Sequence, residues 1–156
     1  MKLRIISITT LLLLFLSGCG FKVVNKSELS NFKIVEINTF GEKRINFNLK
    51  NKLSFARGSE SNSLSLDLNT IKEKNIKEKN IQNEITKYEI IINTRVKFRV
   101  IKTGLSGEFA IKKTGDYTVA NQYSQTLTNE KNLTKILTNN IAEEIINELI
   151  IRINAI

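Results

Sequence analysis

From Tyr88 to Ile101 the chain alternates apolar and polar positions with little interruption. Tyr88, Ile90, Ile92, Thr94, Val96, Phe98 and Val100 fall on one side, and Glu89, Ile91, Asn93, Arg95, Lys97 and Arg99 on the other. A period of two places these sets on opposite faces of a strand. Leu64, Leu66 and Leu68 alternate in the same way with Ser65, Asp67 and Asn69, which predicts a second half-buried strand. Phe32 to Phe40, rich in β-branched residues (Ile34, Val35, Ile37), reads as a strand ended by Gly41. Lys102 to Gly107 supplies a turn. Glu108 to Tyr123 reads as a returning strand, with a bulge expected at Gly115-Asp116.

Two segments follow helical spacing instead. Between Lys43 and Arg57, Ile45, Leu49, Leu53 and Ala56 line one stripe, Gly58 is placed to terminate the helix, and Phe47 and Phe55 are expected at the stripe's margins. Residues 59–63 read as a turn. Near the C-terminus, a helix capped by Thr128 or Asn129 carries a broad stripe of Leu133, Ile136, Leu137, Ile141, Ala142, Ile145, Ile146, Leu149 and Ile153. Ile150 and Ile151 widen it, so that end must be deeply packed or must meet a partner. Between the strands lies a duplicated five-residue unit, Ile71-Lys72-Glu73-Lys74-Asn75 and Ile76-Lys77-Glu78-Lys79-Asn80. Its period fits neither structure: on a helix the isoleucines would sit about 140° apart, and on a strand they would alternate faces. It is expected as a mobile, charged hairpin end extending two strands, and charge runs of this kind are commonly no more than solvated surface.

The order is strand, helix, three strands, helix. Antiparallel hairpins are the simplest connections, and both helices must bury their stripes against the sheet. The expected fold is therefore an α+β two-layer sandwich: a mostly antiparallel four-stranded sheet with two helices packed on one face. Strand order is not fixed by the pattern.

The first residues follow a different plan. Lys2 and Arg4 precede an apolar run from Ile5 to Leu16, about half the length that spans a bilayer, and Leu16-Ser17-Gly18-Cys19 reads as a lipoprotein cleavage site. The expectation is a signal peptide over 1–18, a lipidated tether over 19–31, and a single domain over 32–156. Cys19, the chain's one cysteine, is the predicted lipid attachment site, so no disulfide is left to the mature domain. Each acyl CH₂ buried in the membrane contributes about 0.8 kcal/mol, which makes a multiply acylated terminus an effectively permanent anchor.

Composition then narrows the chemistry. The formal charge is +9, which for an exported domain points to an anionic partner (lipid head groups, lipopolysaccharide or an acidic protein surface) and not to nucleic acid. Histidine is absent, removing the usual general base and the commonest metal ligand. No His-dependent serine triad and no phosphate-binding glycine loop is present. Glu143 and Glu144 diverge by about 100° on a helix and so do not share a site. Asp67 and Asp116 have no evident partner. No cofactor is expected beyond the covalent lipid on Cys19. Arg95, Lys97 and Arg99 project from one strand face roughly 7 Å apart and form a candidate row for lipopolysaccharide or another anion, with Lys112 and Lys113 as candidate additions. The bland alternative is a solvated face whose cations discourage edge pairing.

Several of these features resemble the lipopolysaccharide-assembly lipoprotein family, LptE. They are the opening Cys19-Gly20-Phe21, the strand and short helix that follow, the alternating hairpin, the Tyr123-Ser124 pair ahead of the last helix, and the tail Ile141-Ala142-Glu143-Glu144-Ile145-Ile146-Asn147-Glu148-Leu149. Lys22-Val23-Val24 departs from the Leu-Arg-Gly common after the family's opening. The resemblance implies a non-enzymatic outer-membrane lipoprotein, anchored on the periplasmic side, that partners and plugs the lipopolysaccharide-inserting β-barrel LptD and contacts lipopolysaccharide. Gly20 after the cysteine fits outer-membrane sorting. Two other readings stay open: a stand-alone lipid or lipoprotein carrier, which needs a closed apolar cavity, and an exported enzyme using Glu, Lys or Tyr.

Overall fold

The computed structural model describes residues 32–54 and 62–154. The predicted signal peptide, Cys19, the tether, Phe55 to Gly58 and most of the predicted turn lie outside them. Within them the order is β1 (Lys33–Gly41), α1 (Lys43–Leu53), β2 (Ser63–Lys79), β3 (Ile85–Val100), β4 (Ser106–Thr118) and α2 (Tyr123–Asn154). The strands form one sheet in the order β1-β2-β3-β4, and both helices cover the same face. The α+β two-layer architecture is thus the one the pattern predicts.

The sheet is mixed. β2–β3 and β3–β4 are antiparallel, but β1 runs parallel to β2, with Ile34 opposite Leu64 and Phe40 opposite Asn69. The sheet is thus mostly antiparallel, as expected, and β1 is the exception because a helix separates it from β2: α1 carries the chain back across the sheet, and a crossover of that kind joins parallel neighbours. The reversal is tight at Gly41. Its φ is +88°, and a Cβ there would lie 2.1 Å from the Thr70 carbonyl oxygen. The Glu42 N–H then donates to that same oxygen at 2.9 Å.

The core lies between the layers. Leu64, Leu66, Leu68, Ile90, Ile92 and Val96 from the sheet meet Ile45, Leu49 and Leu53 of α1 and Leu137, Ile141, Ile145 and Leu149 of α2, all buried. Phe47, expected at a margin, is instead 65% exposed, because position 47 lies on the far side of α1 from Ile45 and Leu49. Ile136 and Ile151 likewise stand outside the buried stripe.

Two local expectations are corrected. β4 contains no bulge: Gly115 pairs with Ile90 in uninterrupted register. The glycine instead lets α2 come close, since a Cβ there would lie 2.8 Å from Leu133 Cδ1. α2 starts at Tyr123, five residues ahead of the expected cap. The Ala120 N–H donates to Thr126 Oγ1 at 2.9 Å, and Asn129 Nδ2 donates to the Thr118 carbonyl at 3.1 Å, so these side chains tie the first turns to the end of β4. Thr128 sits inside the helix and donates to the Ser124 carbonyl. The duplicated unit does extend the β2–β3 hairpin, with β2 paired to β3 as far as Lys79. Ile71 and Ile76 fall on opposite faces, as odd spacing requires, and Ile81 stands 98% exposed in the closing turn. The register slips at Ile76/Glu78 and Glu78/Lys79, where the repeat's odd period meets the strand's period of two.

Candidate functional site

The two faces of the sheet carry different chemistry. On the uncovered face, Arg95, Lys97 and Arg99 lie in a row as predicted. Their neighbours on β2 are Asn69, Asp67 and Ser65, and on β4 Ala110, Glu108 and Ser106. Acidic groups are therefore interleaved with the row. Glu108 pairs with Arg95 Nε at 3.1 Å and with Lys97 Nζ at 3.8 Å. Asp67 accepts from Asn38 Nδ2 at 3.0 Å, and Glu36 accepts from Ser65 Oγ at 3.1 Å. Lys112 shares this face, opposite Asn93. Lys113 does not: it lies on the helix-covered face and pairs with Glu144 of α2. The structure thus gathers four of the five candidate cations and balances two of them with one carboxylate. Asp116 also gains a partner, Lys77 Nζ at 2.9 Å. That hydrogen bond and the lysine's charge hold its carboxyl below the usual range.

The covered face holds a cluster that the pattern did not single out. Past Thr70 the inward positions of β2 are Lys72 and Lys74. Glu130 of α2 lies over both, accepting from Lys72 Nζ at 2.8 Å and Lys74 Nζ at 2.7 Å. Tyr117 Oη of β4 donates to the same carboxylate at 3.0 Å. Lys74 also stands over the Tyr88 ring, 4.3 Å from its centre, and Tyr88 stacks on Tyr117 at 5.7 Å. Glu130 is mostly buried, its side chain 20% exposed. Burial is the largest single influence and disfavours its charge, but the hydrogen bonds from Lys72, Lys74 and Tyr117, with the Lys72 charge, outweigh it and lower its pKa to about 2. Lys74 is shifted the other way: burial opposes its charge, and the bonds to Glu130 and Tyr117 carry it above the ordinary lysine range. Burial also raises the Tyr117 hydroxyl. A signal for this cluster was present in the sequence. Extending the Leu64-Leu66-Leu68 alternation through Thr70 places Lys72 and Lys74 on the inner face, where buried ammonium groups require an acidic partner.

Glu130 also forms part of the wall between two hollows. One, of about 300 Å³, includes Tyr88, Tyr123 and Thr126. The other is a valley of about 600 Å³ between the helices. Its walls include Arg44, Asn48 and Lys52 of α1 and Leu127, Lys131 and Lys135 of α2.

The architecture is a small α+β sandwich whose fold is shared with solved bacterial lipoproteins. Among solved structures, the uncharacterized lipoprotein B of Nitrosomonas europaea is similar at a TM-score of 0.63 and 16% identity, covering 88% of this chain and 94% of that one. The rare lipoprotein B of Shewanella oneidensis is similar at 0.56 and 14%, over 73% and 92%. A putative lipoprotein of Caulobacter crescentus CB15 is similar at 0.52 and 15%, over 81% and 93%. At these identities the likeness is one of fold. No family model and no curated protein sequence matches the chain.

Proposed function

We propose that the chain is an outer-membrane lipoprotein that acts by binding and not by catalysis, as the partner and plug of the lipopolysaccharide-inserting barrel LptD. The observation that carries the reading is a coincidence of two independent features. Leu16-Ser17-Gly18-Cys19 reads as a lipoprotein cleavage site, and the domain beyond it has the fold of solved lipoproteins over more than nine-tenths of their length. The resemblance at Cys19-Gly20-Phe21 and along the final helix narrows this to the barrel partner and to the periplasmic side of the outer membrane. The carrier alternative needs a lipid-sized void between the layers. That space is filled by Leu66, Leu68, Ile92, Ile141 and Ile145, each fully buried. On the uncovered face, Arg95, Lys97, Arg99 and Lys112 are the candidate contacts to lipopolysaccharide phosphate.

The test is expression in a Gram-negative host with labelled palmitate, followed by mild extraction of the tagged protein. The expected result is label on the parent, none on Cys19→Ser, and LptD retained through purification. A labelled protein that emerges alone with bound lipid would support the carrier, and an unlabelled one would remove the lipoprotein reading.

A further inference from the structure

The valley between α1 and α2 combines three features that occur together nowhere else among the described residues. Its walls are two helices. Arg44 and Lys52 stand on one rim and Lys131 and Lys135 on the other, and none of the four makes an ion pair or side-chain hydrogen bond with a described residue. By contrast, the cations beside Glu130 and two of those beside Glu108 are already neutralised. The wall positions also recur at helical spacing. Leu127, Lys131 and Lys135 follow one another by four on α2, and Arg44 and Asn48 do so on α1. From Leu127 to Asn139 the valley follows roughly 18 Å of helix, about three turns.

We propose that this valley is a docking groove for an acidic amphipathic helix of a partner protein. Ridges at four-residue spacing on two walls accept the ridges of a third helix. Leu127, partly exposed, offers an apolar contact at one end. Unpaired cations on both rims call for carboxylates along both flanks of the guest. An acyl chain alone fits less well, because it would leave the four rim cations without carboxylates. An extended strand fits less well too, because helical walls present no free backbone edge. The inference rests on the binding-module reading but not on the identity of the barrel.

The probe is a fluorescent helical peptide of about four turns with one leucine stripe flanked by glutamates, and its control is a scrambled peptide of the same composition. Anisotropy is read with the full chain in uncharged detergent at low salt. The parent is expected to bind the amphipathic peptide at least fivefold more tightly than the scrambled one. K131E/K135E should lose about tenfold, and R95E on the opposite face should change little. A peptide with lysine in place of glutamate should bind K131E/K135E better than the parent, which shows that the variant is folded. Equal binding of the scrambled peptide, an unchanged K131E/K135E, or competition by a short-chain anionic phospholipid at the same residues would each overturn the proposal. Failure of the parent to retain LptD would overturn the functional reading while leaving this result untouched.

Discussion

Glu130 shows how one residue couples strand, helix and solvent. Its carboxylate takes three hydrogen bonds from β2 and β4 and so pins the early part of α2 to the sheet. The ionised form is favoured in the folded state, with the pKa down from 4.5 to about 2. The sign follows from linkage. Above pH 4.5 the carboxylate is ionised whether the chain is folded or not, and the full stabilisation is present. As pH falls from 4.5 toward 2 the unfolded chain takes up the proton first, and the stabilisation is lost. Glu130→Gln should therefore cost about 2 kcal/mol at pH 7, within the range for breaking a largely buried pair after allowance for the partly exposed Lys74. Urea titrations at pH 7, 4 and 2.5 should show the gap between parent and variant closing with acid. A gap independent of pH would mean that the carboxylate's charge is not what matters. Gly41 poses a backbone problem at the same scale. Its φ of +88°, and a Thr70 carbonyl oxygen standing where an added Cβ would go, leave no room for a methyl group, so Gly41→Ala should destabilise by at least about 2 kcal/mol in the same assay.

At the scale of elements, the sequence was most readable where periodicity was long. The alternations of β2 and β3 and the stripe of α1 announce their buried faces, and Leu66, Ile92 and Leu49 are buried as the spacing requires. What it did not disclose depended on contacts far along the chain. The Arg95-Lys97-Arg99 row was visible, but its balancing by Glu108 follows only from the β3–β4 register. Lys113 falls outside that row because odd positions of β4 face the helices, which the β3–β4 register alone decides. The β2 alternation places Lys72 and Lys74 inward, but Glu130, their partner, lies more than 50 positions further along the chain, so no local pattern names it. Gly115 is the plainest case. From sequence, a glycine in a strand reads as a bulge, while here it admits α2 through Leu133. That account predicts a rescue. Gly115→Ala should lose about 1 kcal/mol by overpacking, and adding Leu133→Ala should make the glycine substitution nearly neutral against that background. Thermal melts of the four proteins of this cycle measure the coupling. If the two losses simply add, the glycine serves something other than the helix approach.

At the scale of the whole molecule, cations lie on both sides, and the way they are paired bears on how the uncovered sheet meets an anion. The helix side holds unpaired cations along its valley, and on the open face Glu108 occupies Arg95 and Lys97, while Arg99 and Lys112 have no ion pair among the described residues. If lipopolysaccharide phosphates settle on that face, they compete with Glu108 for the same guanidinium and ammonium groups. Glu108→Gln should then strengthen binding. Both pairs are well over half exposed on their cationic side, and exposed pairs contribute only about 0–1 kcal/mol each, so the gain should be about two- to fivefold. Arg99→Glu should weaken binding more than Arg95→Glu, because only Arg95 already has an acidic neighbour to satisfy. Each difference should fade as salt rises from 0.1 M toward 1 M, where the screening length contracts from about 10 Å to about 3 Å. Titration of lipopolysaccharide against the parent and the three variants at both salt concentrations reads all of this in one series. Identical affinities at low salt would show that the sheet's open face, for all its arginines, is not where the anion binds.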